Sequence, residues 1–255
     1  MYFDTHAHYD DEQFDADRGE LLAAMPGSGV TLIVNAASDV RTARIGRQLA
    51  EKYPFIYFAA GVHPHEASGM DENTQGELRE LLSHPKAVAV GEIGLDYHYD
   101  LSPRDTQRAR FAEQMELARE LGKPVIIHER EACADTLDVL RRFWDDVPGV
   151  FHCYSGSWET AKEILDHGWY LSFTGVVTFK HARRALEVVA KRPLDRLMIE
   201  TDSPYLAPEP RRGRRNDSRN LVYIAERIAK ERGMAPEELA RAAFENGLRF
   251  FRINT

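Results

Sequence analysis

Thiols are almost absent from this chain of 255 residues, which carries two cysteines, Cys133 and Cys153, far apart in sequence. That excludes a disulfide framework and a cysteine-ligated zinc site, and it suits a reducing compartment. Long apolar runs are missing as well. No segment approaches the roughly 20 apolar residues of a membrane span, and the N-terminus has no basic stretch leading into an apolar one. A soluble, cytoplasmic protein is the expectation. Positive charge is also in short supply, because 33 Lys and Arg stand against 41 Asp and Glu for a net charge of −8. Such a balance argues against a protein that coats nucleic acid through a broadly basic surface, so a phosphate-bearing substrate must meet a local positive site.

What the chain does have is a full complement of core-forming residues, 43% hydrophobic with 10% aromatic, at ordinary globular values. Short β-branched or apolar runs occur at 2–8, 31–37, 56–63, 87–94, 124–129, 149–153, 170–175 and 196–202. Helical patterns lie between most of them, at 40–52, 102–122, 132–143, 158–167 and 181–191, with a shorter one at 76–82. In the clearest, Ser102 is placed to cap, Pro103 to open the first turn and Gly122 to close the helix. Two further helices, at 218–232 and 236–250, end the chain. Eight strands alternating with helices predict an α/β fold, a (β/α)8 TIM barrel, with residues 1–255 as a single domain.

Six of the ten histidines fall at predicted strand ends: His6, His8, His63, His65, His128 and His152. Glu92 and Asp202 end two more strands. In a β/α barrel those ends converge on the face where active sites are built. Any one strand-end histidine reads most simply as a satisfied polar residue, but a set of imidazoles buried together without a partner is costly. His6 and His8, two residues apart, point to the same side of an ideal strand and can grip one ion together. Imidazole and carboxylate donors without thiolate suit a borderline divalent ion. The donors outnumber one four-coordinate shell, which favours two ions sharing a carboxylate, with Glu92 the natural bridge.

The stretches DTHAH (4–8), GVHPH (61–65), GEIGLDY (91–97), PVIIH (124–128), FHCYSG (151–156) and ETDSPYL (200–206) resemble the TatD family of metal-dependent hydrolases. They run in the family's order over nearly the whole chain. The resemblance implies an amidohydrolase-type barrel and deoxyribonuclease activity, often 3′-to-5′ on single strands, and so single-stranded DNA or 3′ ends as substrate. It implies two or three divalent ions (Mg, Mn or Zn), with His6, His8, Glu92 and Asp202 around one, Glu92, His128 and His152 around a second, and a further ion near Glu200. It also implies that His63 and His65 approach the substrate phosphate. The segment PEPRRGRRN (208–216) is similar to a basic loop of the family, but Asn216 is followed by Asp217 and Ser218 where members often have an acidic residue and proline.

For phosphodiester hydrolysis Asp202 is the expected general base, with Glu92 and His63 completing the catalytic group. Arg211 and Arg214, together with Arg212 and Arg215, offer forked donors to phosphate oxygens unless they merely form surface pairs. Tyr97, Tyr154 and Tyr205 are candidates to stack bases or simply to pack. Cys153 beside His152 suggests a nucleophile pair, but neighbours in a strand face opposite sides, which favours packing. The competing chemistry is a binuclear amidohydrolase or esterase acting on a small acyl substrate. Many such enzymes carry a bridging lysine on the fourth strand, where this chain has Glu92. A catalytically silent metal-binding or nucleic-acid-binding protein is the third reading. A monomer is expected.

Overall fold

The computed structural model describes residues 1–254. Its strands are β1 (Tyr2–Ala7), β2 (Val30–Ala36), β3 (Ile56–Ala60), β4 (Ala87–Asp96), β5 (Val125–Arg130), β6 (Gly149–Phe151), β7 (Tyr170–Phe173) and β8 (Leu197–Ile199). The helices are α1 (Arg18–Ala24), α2 (Val40–Lys52), α3 (Thr74–Leu82), α4 (Arg104–Leu121) and α5 (Cys133–Leu140). They continue with α6 (Trp158–Asp166), α7 (Arg183–Lys191), α8 (Leu221–Arg232) and α9 (Pro236–Phe251). All eight predicted strands are present, and they follow one another in sheet order β1 to β8. The fold class is the α/β, eightfold β/α type that the alternating pattern predicts.

The chain forms two compact units, Ala36–Phe151 and the segments on either side of it. In the flanking unit β1 pairs parallel with β2, and β7 pairs parallel with β8. The segments that leave β1 and β8 are tied together, with Asp202 N–H donating to His6 O at 3.0 Å and His8 N–H to Ser203 O at 2.7 Å. Helix α9 packs its aromatic face onto β1, where the Phe3 ring lies 6.0 Å from Phe244 and 5.9 Å from Phe251.

In the other unit β3, β4, β5 and β6 are parallel neighbours. Every residue of β4 is buried, as expected of a parallel strand covered on both faces. Helix α2 opens on a capping box, in which Asp39 Oδ1 accepts from Thr42 N–H at 2.7 Å and Thr42 Oγ1 from Asp39 N–H at 2.9 Å. At its far end the Lys86 ammonium reaches the carbonyls of Ala50, Tyr53, Pro54 and Ile56.

Local expectations fail where a tertiary partner competes. Ser102 does not cap α4; the N-cap is Pro103. The Ser102 hydroxyl is engaged elsewhere, donating to His65 O at 2.9 Å and accepting from Ser68 N–H at 3.1 Å. Helix α1 carries no strong sequence signal because it is one short stretch with a glycine in its first turn and no side-chain cap.

Candidate metal centres

Histidine and carboxylate donors collect in both units. In the flanking unit β1 delivers His6, the residues after it deliver His8, the end of β6 leads into His152, and the segment after β8 carries Glu200 and Asp202. His6 Nε2 and His8 Nε2 lie 3.1 Å apart, and Asp202 Oδ1 is 3.2 Å from the second and 3.6 Å from the first. Donors bound to one ion at about 2.1 Å would stand about 3.0–3.4 Å apart, so these three are spaced to hold a divalent cation. The His152 ring stacks on His6 at 4.1 Å, and His6, His152 and Asp202 form one group with metal-ligand spacing. Glu200 is fully buried behind them. Its Oε1 accepts from Cys153 N–H at 2.6 Å and stands 3.4 Å from His152 Nδ1.

Burial alone would raise the Asp202 carboxyl, but the His8 hydrogen bond and the neighbouring imidazoles of His8, His152 and His6 outweigh it and hold the group below the usual carboxylate range. The anion is therefore the resting form, as a ligand or a general base requires. Cys153 is the opposite case. Burial and the carboxylates of Asp202 and Glu200 push its thiol up to about 12, against the opposing effect of His152. Its Sγ lies 3.3 Å from Thr174 Oγ1, so the residue packs and is not a nucleophile. Iodoacetamide at pH 8 should alkylate Cys153 roughly 100-fold more slowly than a free thiol of ordinary pKa, once the scarcity of thiolate is set against its higher intrinsic reactivity. Peptide mass spectrometry of folded against urea-unfolded protein checks this; equal rates in both states would restore Cys153 as a reactive group.

In the other unit β4 supplies Glu92 and Asp96, β5 supplies His128, and the turn after β3 supplies His63 and His65. Glu92 Oε1 is 2.6 Å from His128 Nδ1 and 3.6 Å from His63 Nε2, and these three also form a group with metal-ligand spacing. Asp96, fully buried, faces His128 Nε2 at 3.1 Å and accepts from His65 Nε2–H at 2.9 Å. Burial pushes the Asp96 carboxyl up, yet the hydrogen bonds from His128, Tyr99 N–H and His65 more than reverse this and hold it well below the ordinary value. Of the six histidines singled out in the sequence, five lie in groups with metal-ligand spacing, and His65 is held by Asp96 instead.

Two carboxylates in these groups were not recognised as site residues from sequence, although both sit in the quoted motifs: Asp96 in GEIGLDY and Asp4 in DTHAH. Asp4 is fully buried. It accepts from Thr201 N–H at 2.9 Å, Thr201 Oγ1–H at 2.5 Å and Ser218 Oγ–H at 2.6 Å, which fixes the backbone between Glu200 and Asp202. Burial raises its carboxyl to about 7 in spite of these donors.

The basic segment divides. Arg211 and Arg214 are exposed, whereas Arg215 forms a two-point salt bridge with Asp17 at 2.8 and 2.6 Å and donates to Gln13 O at 2.6 Å. Arg212 lies 3.9 Å over the Phe179 ring. Asn216, just before the point where the sequence departs from the family pattern, holds the loop base by donating to Thr201 O and Tyr205 O at 2.9 and 2.7 Å. Of the tyrosines proposed to stack bases, Tyr154 is buried with its hydroxyl on Ser157 O, and Tyr97 lies under the Arg104 guanidinium with its hydroxyl on Asp135. Only Tyr205 of the three presents an exposed ring, and its hydroxyl donates to Asp11. No described helix is long and apolar enough to cross a membrane.

Comparison with known proteins places these groups in context. Residues 3–252 match the family described as TatD related DNase. A Bacillus subtilis protein, the uncharacterized metal-dependent hydrolase YabD, is 45% identical over 255 residues, covering 100% of both chains. The 3′-5′ ssDNA/RNA exonuclease TatD of Cronobacter sakazakii is 36% identical over 260 residues, covering 99% of this chain and 98% of that protein. The crystal structure of YJJV, a TatD homolog from Escherichia coli, superposes with a TM-score of 0.93 at 29% identity, over 99% of this chain and 98% of that one.

Proposed function

Because the chain belongs to the family of TatD-related DNases and is a metal-dependent hydrolase, we propose that it cleaves phosphodiester bonds of single-stranded DNA, removing nucleotides from the 3′ end. RNA is the alternative strand, as the printed name of the Cronobacter relative suggests for that protein. The observation that carries the proposal is the clustering of His6, His8 and Asp202 donors at 3.1, 3.2 and 3.6 Å, the edge lengths of a metal polyhedron.

In this reading His6, His8, Asp202 and His152 hold divalent ions, with Glu200 supporting His152 or holding a further ion, while Glu92, His128 and His63 form the second donor group. Glu92 is proposed as the carboxylate that serves more than one ion, since it offers two oxygens on a rigid, fully buried strand. When bound, such ions supply charge to the scissile phosphate and lower the pKa of an attacking water. The Asp202 carboxylate, anionic in its imidazole surroundings, takes the proton of that water. His65, held by Asp96 through Nε2, approaches the phosphate oxygens beside His63. Arg211 and Arg214 steer the strand from the rim.

The test strips the protein with chelator, restores Mg, Mn or Zn separately, and follows single-stranded DNA and RNA labelled at either end. Metal-dependent shortening from the 3′ end is expected, and the metals rank by rate. Absence of cleavage with every metal, in protein that binds them, would transfer the assignment to a hydrolase of small esters or amides.

A further inference from the structure

Few large apolar side chains face solvent among the described residues, and two of them, Tyr99 at 55% and Leu101 at 65% exposure, stand in the turn that follows β4. Tyr99 is built into its surroundings. The Arg130 guanidinium lies 4.7 Å over its ring, and the rings of His65 and His98 meet it edge-on at 5.4 and 4.9 Å. The Tyr99 backbone is pinned, with its N–H donating to Asp96 Oδ1 at 2.8 Å, so one carboxylate aligns both His65 and the turn that presents the tyrosine.

The charges around it are assigned unevenly. Glu131 pairs with His98 and Asp100 with Arg104, whereas exposed Arg130 makes no ion pair among the described residues. An open aromatic ring, fixed at its backbone and backed by an unpaired guanidinium, has the chemistry of a nucleobase platform: every base has a face to stack, and the cation answers the adjoining phosphate.

We propose that Tyr99 and Arg130 form a stacking subsite for a nucleotide of the single strand next to the phosphate that His65 approaches. The exposed part of the ring takes the base, Arg130 holds the backbone phosphate of that nucleotide, and Asp96 sets the spacing between subsite and His65. The inference rests on the nucleic-acid reading above, and its consequence is that the enzyme requires a base, not merely a phosphodiester, beside the bond it cuts.

The experiment measures binding of a short, hydrolysis-resistant phosphorothioate strand to the full chain in manganese, alongside the same strand with abasic residues throughout. The base-bearing strand is expected to bind about 10-fold more tightly, the size of one stacking contact. Tyr99→Ala should remove that difference and Tyr99→Trp keep it, while Arg130→Gln weakens both strands alike. On a cleavable strand Tyr99→Ala should raise KM about 10-fold with kcat unchanged, a split that general structural damage does not produce.

The proposal is overturned if Tyr99→Ala leaves the base-dependent difference in place or weakens both strands equally. A change of oligomeric state in that variant, read by light scattering, also overturns it by making the patch a protein contact. A Tyr99-dependent base preference in protein that cuts no diester leaves the platform standing and removes the nuclease reading. Cleavage without any base preference does the reverse.

Discussion

Asp202→Asn should lower kcat/KM for single-stranded DNA by about 10³-fold while leaving the fold and strand binding intact. The size follows from removing a positioned general base, which contributes 10²–10⁴-fold, in a residue that also lends its anion to the metal group. The structure makes this a clean test. Asp202 sits at φ 55°, in the left-handed region, where asparagine is accepted as readily as aspartate. Its side chain meets the imidazoles of His6, His8 and His152, and an amide of the same shape keeps an oxygen acceptor for them. The measurements are initial rates with the best metal, an unfolding curve and strand affinity. A variant that keeps more than a tenth of the activity would show that the proton goes elsewhere.

Gly94→Ala should cost about 3–5 kcal/mol of stability, among the largest effects expected of any single methyl group in this chain. Gly94 lies in β4 at φ 147°, which side chains rarely adopt, and a Cβ built there would stand 1.9 Å from His128 O. The atom it meets is backbone of the paired strand, Gly94 lying opposite His128 in the β4–β5 register, so no rotamer change relieves the clash. Separating the strands at that level also draws His128 away from Glu92 and Asp96, and activity should fall with stability. For a chain of this size the melting temperature should drop by roughly 10 °C. Gly76→Ala, on α3 with nothing within 4 Å of the new methyl, is the control and should be neutral or stabilising. Equal melting temperatures for the two variants would refute the assignment of a backbone clash to Gly94.

The eight strands were legible because each is a short apolar run bounded by breakers, and the donor groups were legible because histidine is rare and fell repeatedly at strand ends. His6 and His8 are the sharpest case: a spacing of two in an extended segment predicts convergence, and their nitrogens lie 3.1 Å apart. Asp4 and Asp96 were opaque for a physical reason. An aspartate within a strand has no local signature of purpose, and theirs comes from partners distant in sequence, Thr201 and Ser218 for Asp4 and His65 for Asp96. The same holds for Tyr99. The sequence singles out its neighbour Tyr97 instead, but the Tyr97 hydroxyl is taken by Asp135, whereas Tyr99 keeps 55% exposure. Ser102 shows the converse, a strong local signal for a helix cap cancelled because a distant backbone claimed its hydroxyl first.

The salt bridge between Arg215 and Asp17 changes what the arginine run can contribute to a polyanion. A guanidinium already neutralised by a carboxylate has no net charge left with which to neutralise a phosphate, so of the four arginines only Arg211, Arg212 and Arg214 are left to displace condensed cations from a nucleic acid. At about 0.7 of an ion per phosphate contact on a single strand, the loop accounts for roughly two released ions and no more. The fourth arginine acts as a tether that holds the base of a short cationic tongue, whose influence on strand capture is bounded by geometry and not by its count of positive residues.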